Sequence, residues 1–136
     1  MTLICTQHII FKLKKHPSQR NGQLGEQAAC NFLKEKGYTI IFRNWRTGRL
    51  EVDIICFDPM KTLVFVEVKT RSSKYFGAPG NFVDAKKRRH LMTAAEAYCQ
   101  KFEHCAEIRF DIISIILVNE TIQEIEHFCD AFYETG

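Results

Sequence analysis

The sequence predicts an α/β fold: a mixed β-sheet flanked by helices, with element order α-β-β-β-α-β-β. Three observations predict it. Apolar residues fall at helical spacing in two segments, Leu24/Ala28/Ala29/Phe32/Leu33 and Leu91/Ala94/Ala95/Tyr98/Phe102. Short β-rich apolar runs precede and follow the second of these. All three prolines (17, 59 and 79) fall between the resulting elements. A length of 136 residues with 46% hydrophobic residues is enough for one core, so a single domain over 20–136 is expected.

Residues 1–19 read as an N-terminal extension, partly apolar and then basic, with no acid before Glu26. Ordered strand and flexible arm both remain open for it. Asn21 to about Gly37 reads as the first helix, capped by Asn21 and stopped by Gly37. Tyr38–Phe42 is the first strand, followed by Arg43-Asn-Trp-Arg46. Leu50–Lys69 is a hairpin turning at Asp58-Pro59, a pair suited to start a turn. Arg71–Gly80 is a loop, and a second helix runs from about Val83 to His104. Strands follow at Arg109–Val118 and Thr121–Phe128. Strand three, helix two and strand four form a crossover unit, so those strands should be parallel with a right-handed connection.

Composition narrows the function classes. No apolar run approaches the roughly 18–20 residues of a membrane span, so no membrane partner is expected. The six scattered cysteines, without a Cys-x-x-Cys pair, fit buried thiols in a reducing cytoplasm. Charge is lopsided. Residues 1–101 hold 18 Lys+Arg against 8 Asp+Glu, a net of +10, and residues 102–136 hold one Arg against 8 acids, a net of −7. That distribution suits a polyanion-facing side, and suits equally two parts that neutralise each other in the fold.

The hairpin carries the chemistry. Strand alternation puts Glu51 and Asp53 on one face of the first run and Glu67 and Lys69 on one face of the second, with Val64, Val66 and Val68 on the core side. Taking such charges out of water costs several kcal/mol unless partners or a metal compensate them. A hairpin centred on Met60, with an odd loop, sets Asp53 opposite Glu67 and Glu51 opposite Lys69. A loop one residue longer or shorter separates them. Carboxylates gathered with a lysine suit a divalent cation, Mg2+ or Mn2+. The competing reading of Glu67 and Lys69 is an exposed ion pair worth at most about 1 kcal/mol.

Lys86-Lys87-Arg88-Arg89 occupies the first turns of the second helix, where the helix dipole disfavours cations. A phosphate backbone would favour them there. Arg43, Arg46, Arg71 and Lys74 are further candidate phosphate contacts. Asp111, between Phe110 and Ile112, reads as structural, a partner for Arg109 or a helix cation.

Gly22-Gln-Leu-Gly-Glu-Gln-Ala28, Asn44-Trp-Arg46, Glu51-Val-Asp53, Phe65-Val-Glu-Val-Lys-Thr-Arg71 and Phe76-Gly77 together resemble the YraN family of uncharacterised bacterial proteins, over residues 20–128. One position departs, because the family usually has Gly before the Glu-x-Asp unit and this chain has Leu50. That family in turn resembles the restriction-endonuclease-like superfamily. Its site takes an acid from strand two and a Glu-x-Lys from strand three, and many members, archaeal Holliday-junction resolvases among them, add a glutamate from the first helix. The resemblance implies a restriction-endonuclease-like core with Asp53 and Glu67 as metal ligands and the Val68 carbonyl beside them. It implies Lys69 as the residue that positions water or stabilises charge, and Glu26 as the helix carboxylate. Glu51 is a supporting ligand or a partner of Arg49 or Lys69.

The expected activity is metal-dependent phosphodiester hydrolysis, in structured or branched DNA. The alternatives are nucleic-acid binding without cleavage, and a protein-interaction module whose acidic tail docks a partner. Phe128, Phe132 and Tyr133 read as an exposed surface for homo-oligomer formation.

Overall fold

The computed structural model describes residues 17–73, 84–104 and 106–131. Lys74, Phe76, Gly77, Phe132, Tyr133 and most of the 1–19 extension lie outside them. The elements are α1 (Pro17–Glu35), β1 (Thr39–Thr47), β2 (Leu50–Phe57), β3 (Leu63–Arg71), α2 (Ala85–Lys101), β4 (Ile108–Val118) and β5 (Thr121–Phe128). Their order is the predicted one. The sheet runs β1-β2-β3-β4-β5, with β3 and β4 parallel and the other pairs antiparallel.

Each helix covers one face. Ala29, Cys30 and Leu33 of α1 bury against Ile54, Cys56, Val64, Val66, Ile113 and Ile115. Leu91, Ala94, Ala95 and Tyr98 of α2 bury against Val52, Ile55, Leu63, Phe65 and Ile112. A parallel pair at the centre of a sheet is covered on both sides, which is why β3 is apolar on both faces. α1 begins at Pro17 rather than Asn21. A proline is tolerated in the first helical turn, so it does not stop the helix from reaching back. Past the end of α1, Gly37, with a φ of +87°, closes the chain with the Tyr38 N–H on Leu33 O at 3.0 Å. Asp84 caps α2 by accepting the Lys87 N–H at 2.8 Å.

The hairpin loop is odd. Asp58 Oδ1 accepts the N–H groups of Met60 and Thr62 at 2.9 and 2.8 Å, and Lys61 takes a φ of +65°. This folds residues 58–62 into a five-residue turn between Phe57 and Leu63. The ladder then runs Phe57↔Leu63, Cys56↔Val64, Ile55↔Phe65 and Ile54↔Val66, the register centred on Met60.

Beyond Ile54↔Val66 the pattern changes. β2 stays paired with β1 to Leu50, and β3 with β4 to Arg71, but no further β2–β3 pair forms. Val52 packs on the α2 side while Ile54 packs on the α1 side, so strict alternation fails at Asp53. β1 does the same across Asn44 (φ +51°), with Phe42 and Trp45 both on the α2 side. The shared face expected for Glu51 and Asp53 is lost at this break.

A buried polar network braces the turn end of the sheet. Arg109 donates to both Asp111 oxygens at 2.9 Å, to Asp58 Oδ2 at 2.8 Å and to Tyr38 Oη at 2.9 Å. His127 Nε2 and the Asp130 N–H complete Asp111 at 2.8 and 2.9 Å. Burial alone would raise the Asp111 pKa, but these hydrogen bonds outweigh it and hold the carboxyl below its ordinary range. Phe128 is half-buried against the α2-side core rather than exposed. Its aromatic ring is therefore spent on packing.

Candidate metal centre

At the open end of β2 and β3 lies a cavity of about 440 Å³. Glu26 enters it from α1, Asp53 from β2, and Glu67, Val68 and Lys69 from β3, with Asn21, Gly22 and Arg71 at its walls. The four residues read as catalytic thus line one cavity. The end of the β2–β3 ladder bears on this: the N–H of Val68, which has no β2 ladder partner, donates to Asp53 Oδ2 at 2.8 Å.

Gly25 lets α1 come close enough. A Cβ at that position would overlap Thr70 Oγ1 and lie 3.0 Å from Thr70 Cβ. The helix therefore rests directly on β3, and Glu26, the next residue, reaches the cavity. Gly25→Ala is expected to lose about 1–3 kcal/mol, as overpacking at a close contact does. Adding Thr70→Ala should restore part of that loss in urea unfolding. Equal losses in the single and double variants would contradict a helix–strand contact at this point.

The electrostatics fit a cation. Glu67 is nearly fully buried, and its Oε2 has no hydrogen-bond partner among the described residues. Its Oε1 lies 3.4 Å from Lys69 Nζ and 3.4 Å from Lys87 Nζ. Burial first, and then the neighbouring Glu67 carboxylate, push the Asp53 pKa up to about 7 despite the Val68 hydrogen bond, and Glu26 adds to the rise. An unpartnered buried oxygen and a carboxylate that ionises reluctantly are the kind of hard oxygen donors that a divalent cation would stabilise. These residues fit Mg2+ or Mn2+.

Other candidates fall elsewhere. Glu51 lies 3.4 Å from exposed Arg46, at the β1–β2 end and off the cavity wall. Leu50, where the resembled family has Gly, packs against the α2-side core. Arg43 donates to Gln27 Oε1 at 2.9 Å on the α1 side. Arg71 lines the cavity, and Lys86 is exposed on the first turn of α2. Arg89 lines a different groove with Met92, Thr93, Glu96 and Phe110, while Arg88 buries an Nε that has no partner among the described residues.

Lys87 is the residue whose place the sequence did not reveal. Its position on the first turn of α2 suggested phosphate, and nothing in a linear pattern marks it as a neighbour of Glu67. The two halves of the charge asymmetry also meet in part, since Arg20 of α1 pairs with Glu120 at 2.8 Å. No described helix is long and apolar enough to cross a membrane.

Comparison with known proteins agrees with the motif pattern. The model of the uncharacterised protein family UPF0102 matches residues 25–115, which includes Glu26, the hairpin, Lys87 and most of β4. The chain belongs to the UPF0102 family. A UPF0102 protein of Bacteroides thetaiotaomicron is 44% identical over 112 residues, covering 82% of this chain and 91% of its own. One from Lawsonia intracellularis is also 44% identical, over 82% of this chain and 83% of its own. A third, from Chlorobium limicola, is 42% identical over 125 residues, covering 88% and 96%. The UPF0102 likeness therefore extends over nearly the whole fold rather than over one motif.

Proposed function

We propose that this chain is a divalent-metal-dependent nuclease that hydrolyses phosphodiester bonds, with structured or branched DNA as the substrate class. The observation that carries the reading is the orphaned, buried Glu67 Oε2 beside Asp53 and Lys69. Asp53 and Glu67, with the Val68 carbonyl, would hold Mg2+ or Mn2+. Such an ion supplies charge stabilisation at the phosphate and lowers the pKa of a bound water. Lys69, half-buried at 3.4 Å from Glu67, keeps an ammonium at the cavity wall, where it can orient a water or meet charge developing on phosphate oxygen. Glu26 presents a third carboxylate from α1. Arg71 at the cavity wall and Lys86, exposed on the first turn of α2, offer contacts to flanking phosphates.

A second reading, nucleic-acid binding without cleavage, draws on the Lys69–Glu67–Lys87 grouping, which already balances Glu67 without an ion. A panel of linear, nicked, flapped and four-way DNA, incubated with Mg2+ or Mn2+, separates the two. The nuclease reading expects cleavage of at least one substrate and a loss of about 100-fold or more in Lys69→Ala, as for removal of one charge-stabilising group. Absence of cleavage on every substrate, with binding that weakens steeply as salt rises, would support the second reading.

A further inference from the structure

We propose that Lys87 is a second lysine of the cation site, reaching it from α2, and that it contacts a phosphate oxygen of the bound nucleic acid. Cation binding and nucleic-acid binding are then coupled through one side chain. The inference rests on the nuclease reading and adds a residue that neither the hairpin motif nor the helix carboxylate supplies.

Lys69 and Lys87 approach the same atom, Glu67 Oε1, at 3.4 Å each, one from β3 and one from α2. One ammonium suffices to balance one carboxylate. A second, half-buried beside it, is balanced by the other carboxylates of the cavity, Asp53 among them, and is left for a further anion once a cation takes those carboxylates. Charge counting says when it arrives. Glu26, Asp53 and Glu67 would carry three negative charges with a cation holding them, and Lys69 and Lys87 return two, so one negative charge is left among these five groups. A divalent cation turns that into one positive charge, which a single phosphodiester neutralises.

Geometry keeps Lys87 in place. Its backbone N–H is tied to the Asp84 cap at 2.8 Å, so the side chain leaves a fixed helical turn toward Glu67. Arg89, two residues on, lines the groove on another side of α2, so the basic run is not one uniform patch.

The test uses the full chain, with Lys87→Met to remove the charge and keep the stem, and Lys87→Arg to restore it. Thermal melts titrated with Mn2+ alone read cation affinity. Anisotropy with a phosphorothioate-linked DNA duplex, which resists hydrolysis, reads nucleic-acid affinity with and without Mn2+. Lys87→Met is expected to bind Mn2+ about fivefold more tightly, because a competing positive charge is gone. It should also lose about tenfold of the DNA affinity that Mn2+ confers on the wild type, and Lys87→Arg should recover most of it. Wild-type values for Lys87→Met in both measurements would overturn the proposal while leaving the nuclease reading intact. A wild-type chain that binds no Mn2+ would overturn both.

Discussion

Arg109→Met should lower folding stability by about 3–5 kcal/mol, because breaking a buried ion pair from one side leaves its partner charge uncompensated. The partner is Asp111, buried on β4, which among the described residues would keep only His127 and the Asp130 N–H. Asp58 would lose the same guanidinium, and with it the tie between the hairpin turn and β4. Urea unfolding at pH 7 measures this, and a loss under about 1 kcal/mol would mean the network is ornamental. The sign of the pH dependence follows. Asp111 has a folded pKa below its unfolded one, so its contribution is present above the unfolded value of about 4 and disappears as pH falls through the folded pKa. Acid should thus remove from the wild type what Arg109→Met removes at neutral pH.

Asp53→Asn should have the opposite effect. With its pKa pushed up to about 7, Asp53 holds its proton more tightly in the folded chain than in the unfolded one. Stability of the metal-free wild type therefore falls as pH rises from about 4 to about 7, and the penalty is complete above that. Asparagine keeps an oxygen for the Val68 N–H and removes the charge facing Glu67. A gain on the order of 2 kcal/mol is expected at pH 8, below the full value of the shift because the open cavity admits water. The gain should shrink to nothing near pH 4. Thermal melts in chelator across that range read it directly. A loss of stability at pH 8 would instead mark Asp53 as one half of a structural ion pair.

Asp53 lies at the open end of the hairpin and Arg109, on β4, holds its turn through Asp58, and that hairpin explains how much of the site was legible in the sequence. Alternation and a constant index sum predicted that Asp53 and Glu67 approach each other if the loop is odd. Whether it is odd depended on Asp58, whose carboxylate gathers the Met60 and Thr62 N–H groups and takes Arg109. That last contact comes from 51 residues away. Local propensity cannot see it. Glu51 was misplaced for a related reason. Period-two reasoning assumes an unbroken pleat, and the pleat breaks at Asp53 and Asn44, sending Glu51 to Arg46.

The helix contributions divide the same way. Glu26 sat at the edge of an apolar stripe, so its direction was legible. That α1 comes near enough depends on Gly25 against Thr70, a fit between elements that only the fold displays. Lys87 and Arg89 read alike in sequence and diverge in structure, because two helical positions turn a side chain from one wall of α2 to another.

The central claim is that Asp53 and Glu67 together seat a divalent cation. Thermal melting of the wild type and of Asp53→Asn at pH 8, titrated with Mn2+, tests it most directly. The wild type should gain stability with the logarithm of Mn2+ concentration once the site fills, about 2.7 kcal/mol at 100 times the dissociation constant. Asp53→Asn, more stable at the start, should show little or no further gain, so that the two melting curves cross. Parallel curves with no response to Mn2+ in either protein, or an equal response in both, would contradict a cation site at these carboxylates.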